Sequence, residues 1–257
     1  MSEKIAISEI KKQYQAADIT LLPDFISRFK EDERAGVQAL VTKAGKQLAA
    51  LEKEKQRIYE MSSYEREYGD FTHICGIDEA GRGPLAGPVV AGAVILPKDC
   101  DILYLNDSKQ LSAKKREELY DVIMEKAVAA AVGFATPQRI DEINILQATY
   151  EAMRQAIQGL GILPDILLND AVTIPGVAIR QVPIIKGDAK SVSIAAASIL
   201  AKVTRDRMMV EYDKVMPQYG FAQNKGYGSA AHIKALEVYG ASPIHRKSFI
   251  THFKVKE

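Results

Sequence analysis

The chain has two cysteines, four histidines and no long run of uncharged apolar residues, and each scarcity removes a class of protein. Cys75 and Cys100 show neither the density of a disulfide scaffold nor the paired spacing of a thiolate metal site, so both read as reduced and structural. His73, His232, His245 and His252 form no H-x-x-x-H pair, which argues against zinc and leaves oxygen ligands with a hard cation. No stretch approaches the roughly 18 uncharged apolar residues of a membrane span, and MSEKIAISEIKK lacks the apolar centre of a secretion signal. A cytoplasmic protein with no membrane partner is expected. Neither sign of charge dominates: 34 Lys/Arg against 33 Asp/Glu leave +1. Their distribution is uneven, because from Arg180 onward 13 basic residues meet 6 acidic ones, whereas residues 71–179 carry 9 basic and 14 acidic. A basic C-terminal third beside an acidic middle suits a phosphate track next to a metal site.

What the chain does have is the stretch Ile74-Cys75-Gly76-Ile77-Asp78-Glu79-Ala80-Gly81-Arg82-Gly83-Pro84-Leu85-Ala86-Gly87-Pro88, followed by an apolar run from Val89 to Leu96. A short strand ends in two adjacent carboxylates, a Gly/Pro-rich turn follows, and a second β-branched run returns, so the unit reads as hairpin-like with charge at its tip. Two anions at the end of a buried strand repel each other and are costly to desolvate, which calls for a compensating cation or hydrogen-bond donors. Neighbouring strand residues point to opposite faces, so Asp78 and Glu79 share one site only if the strand bends or stops there. Gly81 and Gly83 make a bend plausible and leave main-chain N–H groups open to a ligand, with Arg82 between them as a phosphate partner. A dinucleotide-binding turn fits less well, because the spacing is Gly81-x-Gly83-x-x-x-Gly87 with Pro84 inside and no helical pattern follows. The plainest alternative is a structural hairpin with a solvated acidic end.

Residues 1–70 read as a small helical N-terminal appendage to an α/β domain over 71–257. Val37, Leu40, Val41, Ala44, Leu48, Leu51 and Ile58 fall on one helical stripe, Pro23 suits the first turn of a second helix, and Met61 to Glu65 bridge into the main domain. Ser112 is placed to cap a helix reaching about Ala130, Ala129–Ala135 reads as a strand, and Ile140, Ile143, Leu146, Tyr150, Met153 and Ile157 mark the core face of one helix. Pro164 to Asp170 is a second apolar run ending in a carboxylate, so two neighbouring strands can bring Asp78, Glu79 and Asp170 together. Val177–Val182 reads as a further strand, and a helix opened by Ser191 or Ser193 follows Asp188. Asp206, in the Thr204-Arg205-Asp206 turn of that helix, is the rival candidate to Asp188 and reads as an ion-pair partner of nearby arginines. Tyr227, between Gly226 and Gly228, is either a core plug or a stacking platform.

GIDEAGRGPLAGPVVAGAVIL resembles the opening motif of ribonuclease HII, the type 2 ribonuclease H. The resemblance continues in order through Asp107-Ser108-Lys109-Gln110-Leu111, Leu168-Asn169-Asp170, Lys186-Gly187-Asp188-Ala189-Lys190, Ala196 to Lys202, Asn224-Lys225-Gly226-Tyr227-Gly228 and His245-Arg246-Lys247-Ser248-Phe249. It covers the chain from about Ile74 onward, and the N-terminal extension occurs in only part of the family. The chain departs from the family at Asn169 and Ala171, where Val and Gly are usual around the aspartate. The resemblance implies a ribonuclease H-like fold with a mixed central sheet flanked by helices. It implies Asp78, Glu79, Asp170 and Asp188 as catalytic residues holding divalent Mn²⁺ or Mg²⁺. Gly81, Arg82, Gly83, Lys109, Tyr227 and Arg246 would contact the substrate, Tyr227 on a deoxyribose beside the ribonucleotide and Arg246 on phosphate. The expected partners are RNA–DNA hybrids and duplex DNA containing ribonucleotides, cleaved by a monomer in ribonucleotide excision repair. A type 3 ribonuclease H, a junction resolvase and a non-catalytic hybrid-binding protein are the alternatives.

Overall fold

In this computed structural model residues 5–256 are described. The chain divides into two compact units, Met1–Glu60 and Met61–Glu257. The first holds α1 (Ile7–Ala16), α2 (Leu22–Phe29) and nearly all of α3 (Ala35–Met61). Pro23 lies in the first turn of α2, where its missing N–H removes no helical bond. The α3 stripe is core: Val37 and Ala44 are buried with Ile10, Tyr14, Phe25 and Phe29, and Leu40, Val41 and Leu48 pack at the edge of that cluster.

Helix α4 (Ser63–Glu67) lies in the second unit, so the segment read as a bridge packs there. Tyr64, Tyr68 and Phe71 cover Ile74, Ile166, Leu168 and Ile194. The Glu65 carboxylate accepts hydrogen bonds from Ser191 Oγ (2.5 Å) and the Ser193 N–H (3.0 Å).

Five strands, β1 (Ile74–Ala80), β2 (Val89–Ile95), β3 (Ala129–Ala135), β4 (Ile166–Asp170) and β5 (Arg180–Ile184), form one sheet in the order β3-β2-β1-β4-β5. β1 runs antiparallel to β2, as the hairpin reading requires, and parallel to β4, so the sheet is mixed. Helices α5 (Ala113–Lys126), α6 (Pro137–Gly159), α7 (Val192–Val215), α8 (Phe221–Asn224), α9 (Ala230–Tyr239) and α10 (Lys247–Ile250) complete the unit. Strand alternation sorts the faces. Cys75 and Ile77 pack with Ala148, Ala152, Met153 and Ala156 of α6, whereas Ile74, Ile166 and Leu168 pack with Ile194 of α7. Helix α7 lies very close to the sheet: a methyl group on Gly76 or Gly92 would fall 2.1 Å from the Ser193 carbonyl carbon or 2.4 Å from the Ala197 oxygen. The small residues of SIAAAS permit that approach.

Three boundaries differ from the sequence reading. Ser112 does cap α5, its Oγ accepting from the Lys115 N–H, but the helix ends at Lys126 because Ala129 already pairs with Ile95. The strand expected at Val177–Val182 is Arg180–Ile184, the register in which Arg180 sits beside Ile166. Helix α6 is broken at Asn144 (φ 67°, ψ 164°), whose Oδ1 accepts from the N–H groups of Leu146 and Gln147 and so caps a new helical start. The break rotates the two halves out of one stripe, leaving Leu146 39% exposed while Ile140, Met153 and Ile157 are buried.

The two departures around Asp170 have separate accounts. Asn169 points away from the α7 face, fully buried, and donates to Gln181 Oε1 (2.8 Å) and the Val172 carbonyl (3.1 Å), which ties the 172–181 loop to the sheet. Ala171 adopts φ 55°, the left-handed region that suits glycine. Replacing it with glycine relieves roughly 1–2 kcal/mol of Cβ strain against a smaller gain in unfolded-chain entropy. Ala171→Gly is expected to be stabilising by about 0.5–1 kcal/mol, read as a rise of roughly 1–4 °C in Tm. An unchanged or lower Tm would show that Ala171 is unstrained.

Candidate nuclease site

The parallel register Ile77 to Asn169 places Asp78, two residues before the end of β1, beside Asp170 at the end of β4, both on the α7 face. Asp78 is 5% exposed. Burial, then the charges of Glu79 and Asp170, push its carboxyl well above the usual range, and a hydrogen bond from Ser198 on α7 partly offsets them. Ser198 Oγ also lies 3.0 Å from Ser108 Oγ, which ties the D-S-K loop to the same helix. Asp170 Oδ1 accepts from the Gly187 N–H at 2.7 Å, docking the turn that carries Asp188.

β1 does not stop at Asp78; it pairs through Ala80, so Glu79 leaves from the other face. Its carboxylate is nevertheless within the field of Asp78, Asp170 and Lys109, and 3.3 Å from Arg82 Nη1. Burial raises it, and the Arg82 charge pulls it back. Asp188 is raised to about 6 by burial, followed by the charges of Asp107 and Asp170. The four carboxylates thus form a string in which Asp170 couples to the other three. Among the described residues, no three Asp, Glu, His or Cys side chains converge on a single point as ion ligands.

Lys109 supplies the cation. Burial would lower its ammonium, but Asp107, Asp78, Asp188 and Asp170 more than offset that and raise it. An all-oxygen donor set in which the carboxyls of Asp78, Glu79 and Asp188 are raised and a lysine is drawn among them fits a hard divalent cation, which would bring the same compensation at higher charge. Glu79, Lys109, Gly81, Arg82, Gly83 and Tyr227 line a common cleft of about 470 Å³, to which Ser198 and Lys202 also contribute.

Tyr227 is 46% exposed, with its ring 3.9 Å from where a Gly83 side chain would begin. It is therefore not a core plug. Beneath it runs a buried chain with fixed tautomers. The Ser242 N–H donates to His245 Nδ1 (2.9 Å), so His245 carries its proton on Nε2 and donates it to His232 Nε2 (2.9 Å). His232 therefore holds its proton on Nδ1 and donates to the Tyr227 carbonyl (2.9 Å). Burial pushes both imidazoles down, and the neighbouring ring takes His245 to about 4. With a folded pKa below the unfolded 6.5, this neutral pair is fully stabilising above pH 6.5 and loses that contribution as pH falls toward 4. For His245 the loss is about 2 kcal/mol by pH 5. A His245→Gln protein should show a smaller drop in Tm from pH 7 to pH 5 than the wild type, a difference that cancels the shared carboxylates. Equal drops would mean that the native pair is charged.

Arg246 requires a correction. Sequence reading sets it on a phosphate, but it is fully buried, and its guanidinium donates to the carbonyls of Gly87 (3.0 Å), Arg82 (2.8 Å) and Gly81 (2.5 Å). His245 is buried as well, whereas the adjoining Lys247 is exposed. Asp206 lies outside the carboxylate string and is an ion-pair partner as read, but its close partner is Lys202 at 2.8 Å, with Arg116 at 3.9 Å and the neighbouring Arg205 and Arg207 engaged elsewhere. Sequence reasoning missed Asp107, Ser198, Lys202 and Arg205. Asp107 and Ser198 lie within quoted blocks, but nothing local marks Arg205, one of several charges on a long helix.

The model of the family "Ribonuclease HII" matches residues 75–252, and that of "Ribonuclease HII N-terminal domain" matches residues 6–69. A ribonuclease HII of Lachnoclostridium phytofermentans is 63% identical over 246 residues, covering 96% of this chain and 97% of that protein. One from Clostridioides difficile is 51% identical, covering 95% and 97%. The crystal structure of the ribonuclease H2 from Pyrococcus horikoshii superposes with a TM-score of 0.59 at 31% identity, over 68% of this chain and 93% of that one. With both family models matched in order and more than half of the positions shared with full-length relatives, the chain belongs to the ribonuclease HII family, the hydrolytic endonucleases known as type 2 ribonucleases H.

Proposed function

We propose that this enzyme hydrolyses the phosphodiester on the 5′ side of a ribonucleotide, in RNA–DNA hybrids and at single ribonucleotides within duplex DNA, leaving a 5′-phosphate and a 3′-hydroxyl. The observation that carries the reading is the placement of one cleft, lined by the Gly81-Arg82-Gly83 turn and Tyr227, beside the string of Asp78, Glu79, Asp170 and Asp188. Those four would hold two Mg²⁺ or Mn²⁺ ions. When bound, such ions supply Lewis acidity that activates water and stabilises the leaving oxygen. The residues of the chain do the rest. Lys109 keeps the carboxylates compensated before substrate arrives, and Ser198 orients Asp78. Main-chain donors in the turn suit a 2′-hydroxyl, which must be recognised by close hydrogen bonding because it lies on the sugar and not on a base. The Tyr227 ring offers an apolar face to the adjoining deoxyribose. In the cell this serves excision of ribonucleotides from DNA.

The test is a DNA duplex carrying one ribonucleotide, incubated with and without Mg²⁺ or Mn²⁺, with both ends of the cut mapped. A single metal-dependent cut 5′ of the ribonucleotide is expected. Cleavage on its 3′ side, or cleavage unaffected by chelation, would overturn the proposal.

A further inference from the structure

Two buried arginines lie behind the glycine turn, and among the described residues neither forms an ion pair. Arg205 on α7 is 1% exposed and donates to the carbonyls of Pro88 (2.9 Å), Lys225 (2.9 Å) and Ala86 (3.0 Å). Arg246 takes Gly81, Arg82 and Gly87, while its own N–H donates to the Leu85 carbonyl at 2.9 Å and its guanidinium lies over the Phe249 ring. Six carbonyls of the turn from Gly81 to Pro88 are thereby directed inward. Burying a guanidinium without a carboxylate is costly, and the two charges also repel each other. A fold that only needed the turn closed could use neutral donors.

Peptide planarity supplies the consequence. In a trans peptide the C=O of one residue and the N–H of the next point in opposite directions. Because Arg246 draws the Gly81 and Arg82 carbonyls inward, the N–H groups of Arg82 and Gly83 are turned outward. Both residues are exposed, and neither N–H has an acceptor among the described residues, whereas those of Leu85, Ala86 and Gly87 are bonded to Gly226 and Ile244. The turn therefore presents two unpaired donors over two buried guanidiniums, on the side that faces the cleft.

We propose that Arg205 and Arg246 are positioning residues that aim the Arg82 and Gly83 N–H groups at the sugar and phosphate of the ribonucleotide, so that the discrimination of ribose from deoxyribose depends on them although neither touches substrate. This rests on the reading of the cleft given under Proposed function.

Lysine keeps the charge but cannot supply three donors in a fixed fork. The test compares full-length wild type, Arg205→Lys and Arg246→Lys. Binding is measured by fluorescence anisotropy to a duplex with one ribonucleotide and to the same duplex with deoxyribose at that position, alongside Tm. The expected result is a preference for the ribonucleotide duplex that falls about tenfold in each variant, with affinity for the all-DNA duplex within about threefold of wild type. Preserved preference in both variants overturns the inference alone. Absence of any preference in the wild type overturns the reading of the cleft and the inference with it. Should the variants not fold, hydrogen exchange on the wild type decides. The Arg82 and Gly83 amides should exchange freely in the unbound protein and become protected by the ribonucleotide duplex more than by the all-DNA duplex, and equal exchange in the two complexes would overturn the proposal.

Discussion

Asp170→Asn is expected to lower kcat by at least about 10³-fold, a barrier increase of about 4 kcal/mol, while leaving duplex affinity equal to or above that of the wild type. Asp170 is the carboxylate whose charge reaches Asp78, Glu79 and Asp188 together, and it sits on the strand that adjoins β1. Asparagine keeps the oxygen that accepts from the Gly187 N–H, so the turn carrying Asp188 stays docked. What is lost is one anion of the set. A second readout separates a loss of chemistry from a loss of fold. Carboxyls whose folded pKa is raised cost stability once pH exceeds that value, because the native state then holds charges that the unfolded chain holds more cheaply. Removing the Asp170 charge lessens that cost. At neutral pH without divalent ions, the variant should melt about 2–4 °C higher than the wild type, equivalent to about 1 kcal/mol. Added Mg²⁺ or Mn²⁺ should raise the wild-type Tm and have little effect on the variant, since a ligand stabilises only the state that binds it. Turnover near the wild-type rate would remove Asp170 from the reaction.

Tyr227→Ala is expected to lose about 5- to 150-fold in kcat/KM on a lone ribonucleotide in DNA, the equivalent of one stacking contact of roughly 1–3 kcal/mol. On a continuous RNA–DNA hybrid the loss should be several-fold smaller. A ring lying on a deoxyribose gains contact area that a ribose with its extra hydroxyl gives up, so the neighbour without a 2′-hydroxyl is the one that needs the tyrosine. Tyr227 is already nearly half exposed, so removing its ring opens no core cavity, and Tm should change by less than roughly 2 °C. The main-chain support persists as well, because His232 bonds the Tyr227 carbonyl and not its ring. Equal losses on both substrates would show that Tyr227 does not sense the junction. A collapse in Tm would return it to the core.

Where a local rule operates, the sequence by itself determined the outcome. The end of β4 at Asp170, the Ser112 cap, Pro23 in the first turn of α2 and the α3 stripe all follow from alternation, capping or 3.6-residue periodicity. The carboxylates could be read for the same reason, since an anion at the end of an apolar run has few physical explanations. Tertiary structure alone decided which charges are buried and what they meet. Arg246 and Arg205 bond carbonyls 165 and 117 residues away, and no periodicity distinguishes such an arginine from one in solvent. Lys109 lies among aspartates from two strands and a turn, which only the folded sheet brings together. Asn169 is adjacent to a proposed ligand in sequence yet serves the opposite face, and Leu146 left its stripe when Asn144 restarted the helix. A residue's neighbours along the chain set its backbone, whereas its partners across the chain set its charge environment, and the proposed chemistry depends on the second.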